Sequence, residues 1–142
     1  MRPILRILLA ASTIGACNAP AGADVALKII VNPNVAASTV SSDDVTRIFL
    51  ITKTSLSDGS HVDPVLEKDG TTYHAFLKRY IGKTDSALTV YYRSLVFTGK
   101  ASMPATLKSG AEVVAYVAKR KSAIGFVSAD TNTSGVKILV VK

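Results

Sequence analysis

Residues 25–49 read VALKIIVNPNVAASTVSSDDVTRIF. The first seven, Val25 to Val31, are almost continuously apolar and rich in β-branched side chains, as in a buried strand, and the run stops at the turn-forming Asn32-Pro33-Asn34. Ser41 and Ser42 then precede Asp43 and Asp44, where side-chain oxygens and negative charge suit the free N–H groups of a helix start. Val45, Ile48 and Phe49 share one face of that helix. A strand followed directly by an amphipathic helix predicts an α/β fold.

The alternation continues downstream. Ser57-Asp58-Gly59-Ser60 marks a turn, and Val62, Pro64 and Val65 predict a second strand, in which Pro64 belongs at an edge or among the first residues. Tyr73, Phe76, Leu77 and Tyr80 follow helical spacing after Asp69-Gly70-Thr71-Thr72, and Gly82 closes that helix. Thr84 and Asp85 open another, with Leu88, Tyr91, Tyr92 and Leu95 on its apolar face and Gly99 at its end. Ser109 and Glu112 have capping-box spacing ahead of Val113, Tyr116 and Val117. Two apolar runs, 123–127 and 136–141, predict the last strands. The expected architecture is a single α/β domain, a mostly parallel or mixed sheet covered by helices, without internal repeat or linker.

The N-terminus has the pattern of an export signal over residues 1–23: Arg2 and Arg6, an apolar run from Ile7 to Ala11, and small residues up to Ala21-Gly22-Ala23. Cleavage after Ala23 would leave a domain of residues 24–142. Ile14-Gly15-Ala16-Cys17 offers a competing cut, a bacterial lipobox with Cys17 as a lipidated anchor. Both routes lead to the periplasm or its membrane face. Residues 24–142 hold fifteen basic and ten acidic side chains, a formal charge of +5, which favours anionic solutes or surfaces over long range, or describes solvated lysines spread along the chain. No basic cluster with exposed aromatics suggests nucleic acid.

Several chemistries lack their residues. Cys17 is the sole cysteine, so neither an intramolecular disulfide nor a CxxC pair can form. His61 and His74 are not in HxxxH or HExxH spacing, no G-x-S-x-G elbow occurs, and no glycine-rich nucleotide loop is present. Neither catalysis, a metal nor a cofactor is expected. The tyrosines Tyr73, Tyr80, Tyr91, Tyr92 and Tyr116 fall mainly on helical apolar faces, which predicts buried rings with hydroxyls at the surface.

The order of motifs in residues 24–142 resembles the phosphate-binding substrate-binding proteins of bacterial ABC transporters, in particular short single-domain members with a periplasmic-binding-protein-like fold. The resemblance rests on Val31-Asn32-Pro33, the helix from Ser42 to Leu50, Asp58-Gly59, Phe97-Thr98-Gly99-Lys100, Pro104, the helix Glu112 to Val117, and Ser122-Ala123-Ile124-Gly125-Phe126-Val127. It implies a single lobe of a fold that in full-length members closes two lobes on the anion. The family's helix pattern reads Ile-Phe-Leu-Gly with a tryptophan soon after. Here Ile51 stands for the glycine and Leu56 for the tryptophan, which implies that an aromatic surface has been lost.

In the family this lobe supplies an arginine and a Gly-Ser-Gly-Thr-type turn to phosphate at a helix N-terminus. The corresponding segment here is Lys68-Asp69-Gly70-Thr71-Thr72, so the resemblance implies Lys68, Gly70, Thr71 and Thr72 as ligand-binding residues, with Lys53, Arg93 and Lys100 as an electropositive rim or as solvated side chains. The turn is one residue short, and Glu67 or Lys68 takes the arginine's place, without its bidentate fork. The same residues also suit an ordinary helix cap. The resemblance implies phosphate or another oxyanion as ligand, with an ABC permease or envelope protein as partner, and a homodimer as one way to complete the open face. The alternative is a ligand-free envelope interaction module or accessory scaffold.

Overall fold

The computed structural model of the chain describes residues 25–68 and 70–142, and the expectations that concern the export signal, Cys17, Asp24 and Asp69 lie outside the described residues. Six strands form one mixed sheet: β1 (Leu27–Val31), β2 (Thr39–Val40), β3 (Asp63–Glu67), β4 (Ala105–Leu107), β5 (Ala123–Ser128) and β6 (Lys137–Val141), in the order β2-β6-β1-β5-β3-β4. Strand β1 runs antiparallel to both neighbours, β5 and β6, whereas β2 with β6, β5 with β3, and β3 with β4 are parallel pairs. The edge strands β2 and β4 have two and three residues, too few for a periodic pattern, and neither is legible in the sequence. Pro64 is the second residue of β3, an interior strand, where its missing N–H is tolerated at the strand's beginning rather than at a sheet edge.

Four helices cover the sheet: α1 (Ser42–Phe49), α2 (Gly70–Phe76), α3 (Asp85–Phe97) and α4 (Gly110–Lys119). The α2 segment continues as a wider π-turn over Leu77–Ile81 and ends at Gly82, whose amide donates to the Leu77 carbonyl. One face of the sheet carries the larger core, in which Phe49 of α1, Phe76 of α2 and Phe126 of β5 meet, with the last two rings stacked 3.8 Å apart. The other face packs Ile30, Val65 and Val127 under Val113 and Val117 of α4. That packing is close: a Cβ on Gly125 would sit 2.7 Å from a Val113 methyl, so β5 needs glycine where α4 crosses it.

Several residues that carry the resemblance turn out to join loops and helix ends. Asn32 is buried and donates to the carbonyls of Val117 and Ala118, which caps the C-terminal end of α4 with a side chain from the end of β1. Asp58 accepts from the Ala37 amide and from Ser60, and the Ser60 hydrogen bonds hold its carboxyl below the usual carboxylate range. Leu56 is only 3% exposed and belongs to the larger core. The expectation of a lost aromatic surface is therefore corrected: in this chain position 56 fills the interior and does not form part of a surface.

The tyrosine hydroxyls also differ from expectation. Tyr73, Tyr80 and Tyr92 are buried, but Tyr91 and Tyr92 of α3 donate to the carbonyls of Leu50 and Phe49, at the end of α1. A helix leaves its last carbonyls without partners, and here two phenols from a neighbouring helix supply the donors. At the start of α4, Ser109 accepts from the Glu112 amide as the capping box predicts, but the Glu112 carboxylate accepts from the Lys108 amide, one residue before the cap.

Candidate functional site

The turn between β3 and α2 is the place to which the sequence points for an oxyanion. The Lys68 amide still donates to the Leu107 carbonyl, which extends the β3–β4 pairing into the turn. Gly70 has φ +56, a left-handed conformation that glycine adopts without the Cβ penalty, and it directs the chain into α2. Thr71 is exposed at the start of the helix, whereas Thr72 is buried.

Thr71 and Thr72 line one wall of an open depression of about 370 Å³; Val25 and Ala26 before β1, Ser128 at the end of β5, and Ala129 and Asp130 after it form the rest. Ser128 donates its hydroxyl to the Asp130 carboxylate. That bond uses the one Ser128 proton, so the depression offers an anion the hydroxyls of Thr71 and Thr72 alone, and also one carboxylate. Lys68 does not line it. Its ammonium lies 3.6 Å from the Asp85 carboxylate and 5.9 Å from the centre of the Tyr73 ring, and the Tyr73 hydroxyl donates to the same carboxylate at 2.8 Å. Burial, with the Asp85 hydrogen bond second, raises the pKa of Tyr73, so the phenol remains a donor. The fold thus brings together Thr71 and Thr72, places Gly70 at their entry, and commits Lys68 to Asp85.

The suggested cationic rim is not one surface. Lys53 pairs with Asp44 at 2.9 Å, while Arg93 is exposed on α3 and Lys100 lines a second groove of about 540 Å³. That groove lies between the start of β3, the segment 100–105 and the end of α4, where the Arg120 guanidinium sits 4.4 Å over the Tyr116 ring. Sequence reasoning did not single out Arg120; the run Lys119-Arg120-Lys121 after α4 was its available signal. His61 and Asp63 form an exposed pair at 3.0 Å, and among the described residues no group of three or more His, Cys, Asp or Glu could hold a metal ion.

No protein-family model and no curated protein sequence matches the chain. Solved structures do. PstS from Borrelia burgdorferi superposes with a TM-score of 0.62 at 15% identity, over 82% of this chain and 47% of that one. An ABC-type phosphate transport receptor from Vibrio cholerae gives 0.60 at 17% identity, over 82% and 46%. A Clostridium perfringens structure with bound phosphate, assigned as a phosphate ABC transporter substrate-binding protein, gives 0.59 at 20% identity, over 84% and 47%. The chain thus has the α/β fold of the phosphate ABC transporter substrate-binding proteins. It spans slightly less than half the length of these neighbours.

Proposed function

We propose that this chain is an exported, periplasmic solute-binding-like protein, a one-lobe relative of the phosphate-transport binding proteins, with residues 1–23 as its signal and 24–142 as its domain. The observation that carries this reading is the shared fold with three phosphate-transport structures, one of them holding phosphate. Phosphate or another oxyanion would rest on the Gly70 backbone and the hydroxyls of Thr71 and Thr72, with Lys68 as the nearby cation. No catalytic step, cofactor or nucleic acid enters this role. The expected partner is an ABC permease or another envelope protein. Among the described residues, no helix is long and apolar enough to cross a membrane. Membrane attachment, if it occurs, would use Cys17 as a lipidated first residue.

A closed site buries most of a small ligand, whereas this depression is open and includes Asp130. The open depression is therefore expected to bind weakly by itself, and a facing surface, from a homodimer or a partner, would raise the affinity. Calorimetric titration with phosphate and with sulfate tests the reading. Thr71→Val keeps the side-chain shape and removes one charge-assisted hydrogen bond, which should lower affinity about tenfold or more. Unchanged affinity in Thr71→Val and Thr72→Val would remove the site from this turn.

The pairing of Lys68 with Asp85 and the presence of Asp130 in the depression favour a second reading, a ligand-free interaction module of the envelope. It predicts no heat with either anion and a stable partner recovered by crosslinking in intact envelopes.

A further inference from the structure

Among the described helices, α3 alone exposes large apolar side chains to solvent. Val90 is 64% exposed and Phe97 93%, and their seven-residue spacing places both on one stripe of the helix. Val96 and Met103 add further exposed apolar surface. The amide of Lys100 donates to the Leu95 carbonyl at 2.9 Å, so the chain after Phe97 folds back on the last turn of α3, with Lys100 between the end of that helix and the groove it lines.

The chain on either side of Phe97 carries charge of one sign, between Asp85 at the start of α3 and Glu112 in α4. From residue 86 to residue 111 the chain contains Arg93, Lys100 and Lys108 and no aspartate or glutamate. Arg93 and Lys100 are exposed and, among the described residues, neither forms an ion pair, whereas Arg47, Lys53 and Lys68 are each paired with an aspartate. A projecting aromatic ring flanked by unneutralised cations matches an interface that is apolar within and negatively charged at its surface.

We propose that the α3 face bearing Val90, Arg93, Phe97 and Lys100 docks on an anionic phospholipid bilayer, with Phe97 entering the headgroup–acyl boundary and the two cations meeting lipid phosphates. A second copy of the chain is a poorer occupant, since an isologous contact would set Arg93 and Lys100 against themselves. A small oxyanion is poorer too, because the exposed stripe of a helix is convex and encloses nothing. One aromatic and two cations give a reversible attachment. The proposal stands on this face alone and does not depend on the oxyanion site.

The sequence contains no tryptophan, so Phe97→Trp in the full chain places a single reporter on the proposed face. Vesicles of phosphatidylglycerol and phosphatidylethanolamine should shift its emission to the blue, brominated lipid should quench it, and phosphatidylcholine vesicles should do neither. Arg93→Glu in the Phe97→Trp background should weaken the effect by more than about fivefold, since fivefold is the loss expected for one surface cation and the new carboxylate adds repulsion. A reporter at the exposed turn residue Ser57, made by Ser57→Trp, should stay in water throughout. The proposal is overturned if tryptophan at position 97 keeps its aqueous emission while the protein co-sediments with vesicles, which would mean attachment elsewhere. It is equally overturned if both reporters shift alike, or if the shift occurs without lipid as protein concentration rises, which would assign the face to a protein contact.

Discussion

Helices α1 and α3 border the same core and are closed by the same devices, yet they treat solvent in opposite ways. Each starts on a hydroxyl cap: Ser41 accepts from the Asp44 amide and Thr84 from the Ala87 amide. Each ends in a Schellman motif, with Ile51 and Thr52 donating to Ile48 and Arg47 in one, and Gly99 and Lys100 donating to Val96 and Leu95 in the other. The residue at the left-handed position differs. Gly99 has φ +71 at no steric cost, whereas Ile51 has φ +59, a conformation that a β-branched side chain adopts only under strain. The outer faces differ as well: α1 presents Asp43, Asp44 and Arg47 in ion pairs, while α3 presents Val90, Val96 and Phe97. Inner faces answer to the core and so converge; among the described residues nothing packs over Val90 and Phe97 on the outer face of α3.

The most destructive test of this comparison uses two phenylalanines. Phe49 of α1 is fully buried against Phe76 and Phe126, and Phe49→Ala should cost about 3–5 kcal/mol in urea unfolding. Phe97→Ser, at the equivalent last turn of α3, should stay within about 0.5 kcal/mol, as surface changes do. A comparable cost at the two sites would show that Phe97 supports the fold and is not held out for a partner.

The hydrogen bond that ties the helices together comes next. Tyr92→Phe keeps the ring and removes the donor to the buried Phe49 carbonyl, which should cost about 1–3 kcal/mol. A neutral result would mean that the end of α1 finds another donor.

The smallest effects sharpen the contrast at the helix ends. A Cβ on Gly99 would meet no atom within 4 Å, so any penalty in Gly99→Ala comes from the left-handed backbone and should be about 1–2 kcal/mol. Ile51→Gly should change stability by less than about 1 kcal/mol, because release of the same backbone strain offsets the loss of a half-buried side chain and the added freedom of the unfolded glycine. A large loss in Ile51→Gly would mean that the isoleucine is retained for packing that outweighs its conformation.

Local pattern alone determined much of this molecule. The apolar runs at 25–31 and 123–127, the helical spacings, and the caps at Ser41, Thr84 and Ser109 were all legible, since each depends on residues within a turn or two of one another. The order of motifs also pointed to the fold of the phosphate-transport binding proteins, whereas the left-handed backbone of Ile51, where that family's pattern has glycine, was shown only by the structure. Tertiary structure alone decided the rest. Periodicity tells which side of a helix is apolar but not which carbonyl a Tyr91 hydroxyl reaches, that Leu56 turns inward, that Lys68 meets Asp85, or that Asp130 shares a depression with Thr71. These contacts join segments far apart in the chain, and their partners are set by how the layers pack. The outward position of Phe97, by contrast, follows from its spacing, since it falls nearly opposite the Leu88, Tyr92 and Leu95 face of α3; what the tertiary structure adds is that, among the described residues, nothing covers it.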